Sequence, residues 1–292
     1  YNALNDIGKI YNTTNEYFDN TTDKNLIIQS GTTGFTNDVL NNTTALTTTD
    51  PEYQSVKSIE ERRVRLTEND FILASSFTFT KTTKKDLQDK TFYQFKTKIE
   101  SAGSILSLIT NATNQAYNAN GNREIFNLEY SEYIKTEFDF IKHWDLSKEK
   151  VLAMRSFFGI AIPFGNSDNI PFSRSYFSGG SNDNRAWQPY SLGPGSSGAV
   201  NDFNEANMKI AFSTEFRFKL LGDLKGALFA DAGNIWNVSD NVTDPKSTFT
   251  GFNSLKDIAL GSGFGLRYDL TFLVVRFDFG FKTYDPANES GK

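Results

Sequence analysis

The sequence predicts an all-β protein and, within that class, a partial transmembrane antiparallel β-barrel. Three observations carry the prediction. Beyond residue 60, apolar and polar residues alternate with period two along several stretches, which places them on opposite faces of a sheet. The connections between these stretches alternate short and long, as in an outer-membrane barrel with tight turns at one end and loops at the other. The face opposite the large apolar residues is often Gly, Ala, Ser or Thr, whereas a soluble sandwich would present Lys and Glu to water.

Composition narrows the function classes. An aromatic fraction of 14%, with 27 Phe and 12 Tyr in 292 residues, suits strands better than helices. The absence of Cys excludes disulfide scaffolds, thiolate metal sites and Cys nucleophiles, and the one His excludes a multi-His metal site. A net charge of −5 with scattered Lys and Arg argues against nucleic-acid binding. Mean hydropathy is −0.45, and no 18-residue apolar run is present to form a membrane-spanning helix. A barrel wall escapes that test, because its alternation averages out as polar.

In chain order, residues 1–60 are polar and irregular. Between Gly31 and Asp50, 11 of 20 residues are Asn or Thr, too few large apolar groups for a core. This segment is predicted to be a solvated Asn/Thr-rich loop or excursion, with one short strand near Asn25–Gln29. Residues 61–292 form the barrel region, with about eight strands at roughly 65–82, 91–108, 124–144, 149–164, 207–221, 224–237, 257–270 and 272–284. The clearest places Met208, Ile210, Phe212, Phe216, Phe218 and Leu220 on the lipid side, opposite Lys209, Ala211, Ser213, Glu215, Arg217 and Lys219. The apolar members are expected to look exposed wherever lipid is absent. Long connections fall at 109–123, 166–206 and 238–256. Trp236, Tyr268 and Tyr284 read as interfacial girdle aromatics, and His143 with Trp144 as an interfacial pair. Tyr1 in place of Met, and a turn-like Pro286–Lys292 run, read as the cut ends of a longer protein.

The loop 166–206 is too long for an ordinary hairpin. Phe172, Tyr176, Phe177, Trp187, Tyr190 and Leu192 provide apolar area, and Gly179-Gly180 and Gly193-Pro194-Gly195 punctuate it with tight turns. It is predicted to fold back inside the barrel. Gly261-Ser262-Gly263-Phe264-Gly265 lacks the following helix of a nucleotide loop, so Gly263 and Gly265, with Arg267, read as a lumen face kept small to admit the loop. Gly195-Ser196-Ser197-Gly198 is a turn without the strand-to-helix context of a nucleophile elbow.

Four ordered motifs give a specific resemblance. Phe177-Ser178-Gly179-Gly180, Asn184-Arg185-Ala186-Trp187 and Ser191-Leu192-Gly193-Pro194 resemble the sixth extracellular loop of the BamA/TamA superfamily, the bacterial surface antigen family. That family carries Gly-Gly, Val-Arg-Gly-Phe/Tyr and Leu-Gly-Pro at similar spacing. Phe229-Ala230-Asp231-Ala232-Gly233-Asn234-Ile235-Trp236, Gly263-Phe264-Gly265-Leu266-Arg267 and Val275-Arg276-Phe277-Asp278 resemble three of its later strands. Here the loop tetrapeptide keeps the arginine and the aromatic but not the Val and Gly.

The resemblance implies the C-terminal part of a sixteen-stranded barrel that follows periplasmic POTRA domains in the bacterial outer membrane. It implies no cofactor, no metal and no catalytic residue. The expected partners are the lipid bilayer, unfolded outer-membrane client proteins and accessory assembly proteins, with no nucleic acid. By analogy, Arg185 should be received by Glu215 and Asp231, with Trp187 packed nearby, because a buried guanidinium needs carboxylate or carbonyl acceptors. Glu215 and Asp231 as a glycosidase pair is the competing reading, and nothing around them suggests a sugar cleft. The expected function is insertion and folding of β-barrel clients. A two-partner-type polypeptide secretion pore is the alternative, and a passive porin the third reading.

Overall fold

The computed structural model describes residues 1–11, 14–67, 70–86, 89–147, 149–198, 204–242, 244–270 and 273–288. The chain divides into two compact units, Tyr1–Glu68 and Asn69–Lys292.

The first unit is helical: α1 (Asn2–Tyr11), α2 (Ser30–Leu40) and α3 (Pro51–Thr67). This corrects the expected loop over 1–60, and the change in texture falls at residue 68. Leu4, Phe18, Leu26, Phe35, Val39, Leu46, Tyr53 and Val56 form a buried core. The composition is poor in large apolar residues, but those present are well spaced. Phe35 and Val39 lie one helical turn apart, as do Tyr53 and Val56, so each pair shares a face. Pro51 opens α3 at the first helical position, where its missing N–H costs nothing, and the Asp50 carbonyl accepts the Gln54 N–H at 3.1 Å. The strand expected near Asn25–Gln29 reduces to a single bridge between Phe18 and Leu26.

The second unit is the barrel wall. Its strands are β1 (Ala74–Thr82), β2 (Phe92–Ala102), β3 (Glu124–Ile125), β4 (Leu128–Glu129), β5 (Tyr133–Asp145), β6 (Val151–Pro163), β7 (Met208–Leu221), β8 (Leu224–Trp236), β9 (Ala259–Asp269) and β10 (Val274–Tyr284). Eight of them form one sheet in the order β1-β2-β5-β6-β7-β8-β9-β10, every neighbouring pair antiparallel and in chain order, with β3 and β4 passed over between β2 and β5. β3 and β4 form a separate pair. The sheet is open, and its strands of 9 to 14 residues suit a bilayer, which needs about nine to eleven per tilted strand. None of the described helices is long and apolar enough to cross a membrane.

Three strand boundaries differ from expectation. β1 starts at Ala74, because residues 65–67 complete α3. β2 stops at Ala102, because Gly103 takes φ +78° and Ser104–Ala112 form helix α4. A short apolar run such as Ile105–Ile109 does not separate strand from helix by periodicity. The expected strand over 124–144 begins instead with the β3–β4 hairpin, whose tip residues Phe126 and Asn127 have φ of +56° and +61°. Two positive φ values at a two-residue tip are the geometry of a tight hairpin, and they leave Phe126 exposed.

The outer face carries Phe77, Phe79, Ile99, Phe138, Phe264, Phe277, Phe279 and Phe281, all exposed. On β7 the expectation holds for Phe212 and Leu220, whereas Ile210, Phe216 and Phe218 are half-buried and Met208 is buried. Phe216 and Phe218 shade each other, with centroids 5.7 Å apart. Met208 lies at the loop end of the sheet opposite Trp236, which is fully buried and packs edge-on to Phe249 of the following loop at 5.8 Å. Trp236 is therefore a loop anchor instead of a girdle residue. Tyr268 is exposed, and the Tyr284 hydroxyl donates to the Lys256 carbonyl at 3.1 Å.

Candidate functional site: a guanidinium staple in the lumen

The inner face is ionic. Lys135, Glu137 and Asp139 of β5, Arg155 of β6, Lys209, Glu215 and Arg217 of β7, Asp231 of β8, Arg267 of β9, and Arg276 and Asp278 of β10 share one parity through the register. The loop between β6 and β7 lies against this face. Its base closes where Tyr176 and Ala206 exchange backbone hydrogen bonds at 2.7 and 2.8 Å. Tyr190 stacks on Phe177 at 4.2 Å and on Phe172 at 6.3 Å, whereas Tyr176 packs edge-on to Phe157 of the wall at 5.9 Å.

At its far end the loop presents Arg185. The guanidinium meets Asp231 in a bidentate fork, Nε to Oδ2 and Nη2 to Oδ1, both 2.8 Å. Its Nη1 donates to Glu215, and the Arg185 backbone N–H donates to Asp231 at 3.1 Å. The side chains of Arg185, Glu215 and Asp231 are 6%, 8% and 1% exposed. The planar fork also lies over the Phe229 ring, with Cζ 3.6 Å from the centroid, so its flat face is covered as well as its edges. Lysine, a point charge, could not make this set of contacts.

The pairing extends further than Arg185. Glu215 also receives Arg217 Nε at 2.6 Å and Arg267 Nη2 at 3.1 Å. Arg267 Nη1 reaches Asp278 at 2.6 Å, and Arg276 Nε reaches the other Asp278 oxygen at 3.1 Å. Cations and anions therefore alternate along Asp231, Arg185, Glu215, Arg267, Asp278 and Arg276. The register places Arg267 directly opposite Arg276, a repulsive pair that Asp278 neutralises from opposite Gly265. Arg276 in turn donates to the Ser181 carbonyl at 2.6 Å and so touches the loop.

Sequence reasoning named Arg185, Trp187, Glu215, Asp231 and Arg267, and the structure brings them to one region. Trp187 is buried with Leu192 and Ala259, and Lys282 Nζ lies 5.1 Å from its ring centroid. Gly179 has φ +97°, and a Cβ there would collide with the Gln188 carbonyl, so this turn requires glycine. The turn is tied down by Asp183, which accepts Gly179 N–H at 2.7 Å and pairs with Lys209 at 3.0 Å. Gly180 donates its N–H to the Trp187 carbonyl at 2.8 Å, and Gly193 packs against Asn234 and Ile235.

Gly263 and Gly265 correct the expectation. A side chain on Gly263 would meet Phe229 and the Phe279 carbonyl, and one on Gly265 would meet Asp278 and Arg267. They make room for neighbouring strands, whereas Gly261 and Gly280 face the loop itself. Sequence reasoning missed Asp183, Lys209, Arg217, Phe229, Arg276, Asp278 and Gly280. The inner parity of the strand residues among them was visible in the alternation, but their partners, and the place of Asp183, depend on register and loop path. Among the described residues, no group of three or more His, Cys, Asp or Glu gathers as a metal site. A cavity of about 440 Å³ lies between the loop and β5–β7, lined by Lys135, Glu137, Arg155, Phe157, Tyr176 and Lys209 among others.

An open transmembrane β-wall with a long loop stapled to its inner face by a buried arginine defines a class: a partial outer-membrane β-barrel whose lumen holds its own loop. The Omp85 superfamily domain model matches residues 8–292, and the chain belongs to that superfamily. Among solved structures, the chain is similar to BamA from Haemophilus ducreyi lacking POTRA domains 1–3, at 14% identity and a TM-score of 0.43. The match covers 73% of this chain and 51% of that one, so the chain spans about half the length of this structural relative. Comparison with curated proteins returned no match.

Proposed function

We propose that the chain is part of an outer-membrane assembly or translocation factor that helps to insert and fold β-barrel client proteins. It does so without a cofactor or covalent chemistry. The single observation that carries this reading is the buried Arg185 fork on Asp231 and Glu215, which holds the loop motif against the inner wall. A lumen occupied by a charge-locked loop is unsuited to free diffusion of small solutes, which argues against a passive porin. The physical task of such a factor is to keep client backbone groups paired while they enter lipid, where each unpaired group is costly. An exposed strand edge can do this by templating a client strand. A second reading, a polypeptide secretion pore, is favoured by the mixed-charge cavity beside the loop, a suitable lining for an extended chain.

The test reconstitutes the full-length protein in lipid vesicles and adds a urea-unfolded outer-membrane β-barrel. Faster formation of heat-modifiable, protease-resistant client than in protein-free vesicles supports the assembly reading. Equal rates refute it. Protease protection of a soluble polypeptide inside the vesicles, without client folding, selects the secretion pore.

A further inference from the structure

Helix α4 presents an apolar surface that neither the lumen staple nor the barrel wall uses. Its nine residues, Ser104–Ala112, contain no charged side chain. Leu106 and Thr110 point inward and are buried, and the Thr110 hydroxyl lies 3.0 Å from the Tyr130 hydroxyl, which fixes the rotation of the helix. The opposite side carries Ile105, Leu108 and Ile109 at 55%, 69% and 50% exposure. Their i, i+3, i+4 spacing makes one continuous stripe. Isolated exposed aliphatics are ordinary, but three on one uncharged helix face form a patch.

The position of the stripe identifies its neighbour. α4 follows β2 directly, and the Gly103 N–H donates to the Leu73 carbonyl at 3.0 Å, holding the helix start to the wall. The Ser104 hydroxyl lies 3.0 Å from that of Ser101. Ser101 shares the outer face of β2 with exposed Ile99 and is paired with exposed Ile134 of β5. Leu108 lies one helical turn beyond Ser104. The apolar stripe of α4 therefore continues the lipid-facing belt past the ends of the strands.

We propose that α4 is an interfacial helix whose Ile105, Leu108 and Ile109 enter the acyl-chain boundary of the leaflet at the long-loop end of the barrel. The occupant is lipid. The stripe carries no charge to select a protein partner and adjoins a surface that lipid already covers. The inference rests on the membrane-barrel fold and is independent of what the protein does to clients. An uncharged helix anchored at its inner face can lie at this depth, because its backbone groups are paired within the helix.

The chain has no cysteine, so Leu108→Cys, Ile99→Cys and Ala119→Cys each introduce one thiol into it for a bimane label. The full-length protein is reconstituted in vesicles containing acyl-brominated lipid. Quenching at position 108 close to that at 99, and several-fold above that at exposed position 119, is expected. Strong quenching at 99 with position 108 behaving like 119 would overturn the inference and leave the barrel intact. No quenching at 99 would mean that the wall does not face lipid, and the inference would fall with it. A label site at 108 that escapes both brominated lipid and water-soluble maleimide would place a protein on the stripe and overturn the lipid assignment.

Discussion

Truncating Arg185 to alanine removes a guanidinium whose loss falls unevenly on its two partners. Glu215 keeps Arg217 at 2.6 Å and Arg267 at 3.1 Å. Asp231, with a side chain only 1% exposed, keeps only the Arg185 backbone N–H at 3.1 Å among the described residues. Removing one member of a fully buried pair costs about 3–5 kcal/mol. Two retained arginines on Glu215 and the wetter setting of a lumen reduce this to about 2–3 kcal/mol, or about 30- to 150-fold in the population of the detached loop. The loop base should stay closed, since the Tyr176–Ala206 bridge does not involve Arg185. Limited proteolysis of the reconstituted protein should therefore show faster cleavage within 180–195 and little change near 170–176. Arg185→Lys should recover only part of the protection, because an ammonium cannot reproduce the fork. Asp231→Ala added to Arg185→Ala should cost much less than it does in the wild type, because the unpaired carboxylate is removed with its partner. Equal cleavage of wild type and Arg185→Ala would refute the staple.

Other perturbations test separate parts of the arrangement. Gly280→Val places a Cβ 2.6 Å from the Arg185 carbonyl oxygen, and should destabilise the docked loop tip by about 1–3 kcal/mol, read as increased cleavage within 180–195. Asp278→Ala leaves Arg267 and Arg276 facing each other across β9 and β10, and amide exchange along those two strands should accelerate. Unchanged exchange would show that the alternating charges do not hold that pair of strands. Lys209→Ala should loosen the turn at 178–183 while the Arg185 fork persists, so cleavage should shift toward residue 180 and leave 185–195 protected. Phe35→Ala should cost the helical unit about 3–5 kcal/mol and lower its melting temperature by circular dichroism at 222 nm, with the strand signal unmoved.

The β7 strand was legible within a residue or so: its alternation predicts 207–221, and the strand spans Met208–Leu221. That success has a local cause. Every second side chain faces lipid and the others face the ionic lumen, so a slip of one residue would reverse the two faces. The same reasoning holds for β8, β9 and β10, and the short turns at Gly222-Asp223 and between β9 and β10 make those neighbours antiparallel, whereas β8 and β9 pair across a long loop. The Arg185 contacts were foreseeable because the loop motif and the inner parity of Glu215 and Asp231 are both written in the chain. Asp278 was not foreseeable in the same way. Its role depends on lying opposite Gly265 and diagonal to Arg267, which only the register shows.

The helices mark where local reading stopped. Ser104–Ala112 has too short an apolar run to distinguish helix from strand, and the left-handed Gly103 decides the issue by ending β2. Residues 1–60 looked too polar for a core because composition averages over position, whereas burial depends on which few side chains converge. Trp236 has the sequence signature of an interfacial aromatic, and only the path of the next loop, with Phe249, buries it. By itself, then, the sequence determined which face of each strand meets lipid, the order of the strands and the arginine that the loop carries inward, because these follow from periodicity and charge along the chain. The tertiary structure alone decided which carboxylates that arginine shares, which glycines admit the loop and which apolar residues lie under other segments, because each depends on groups far apart in sequence meeting in space.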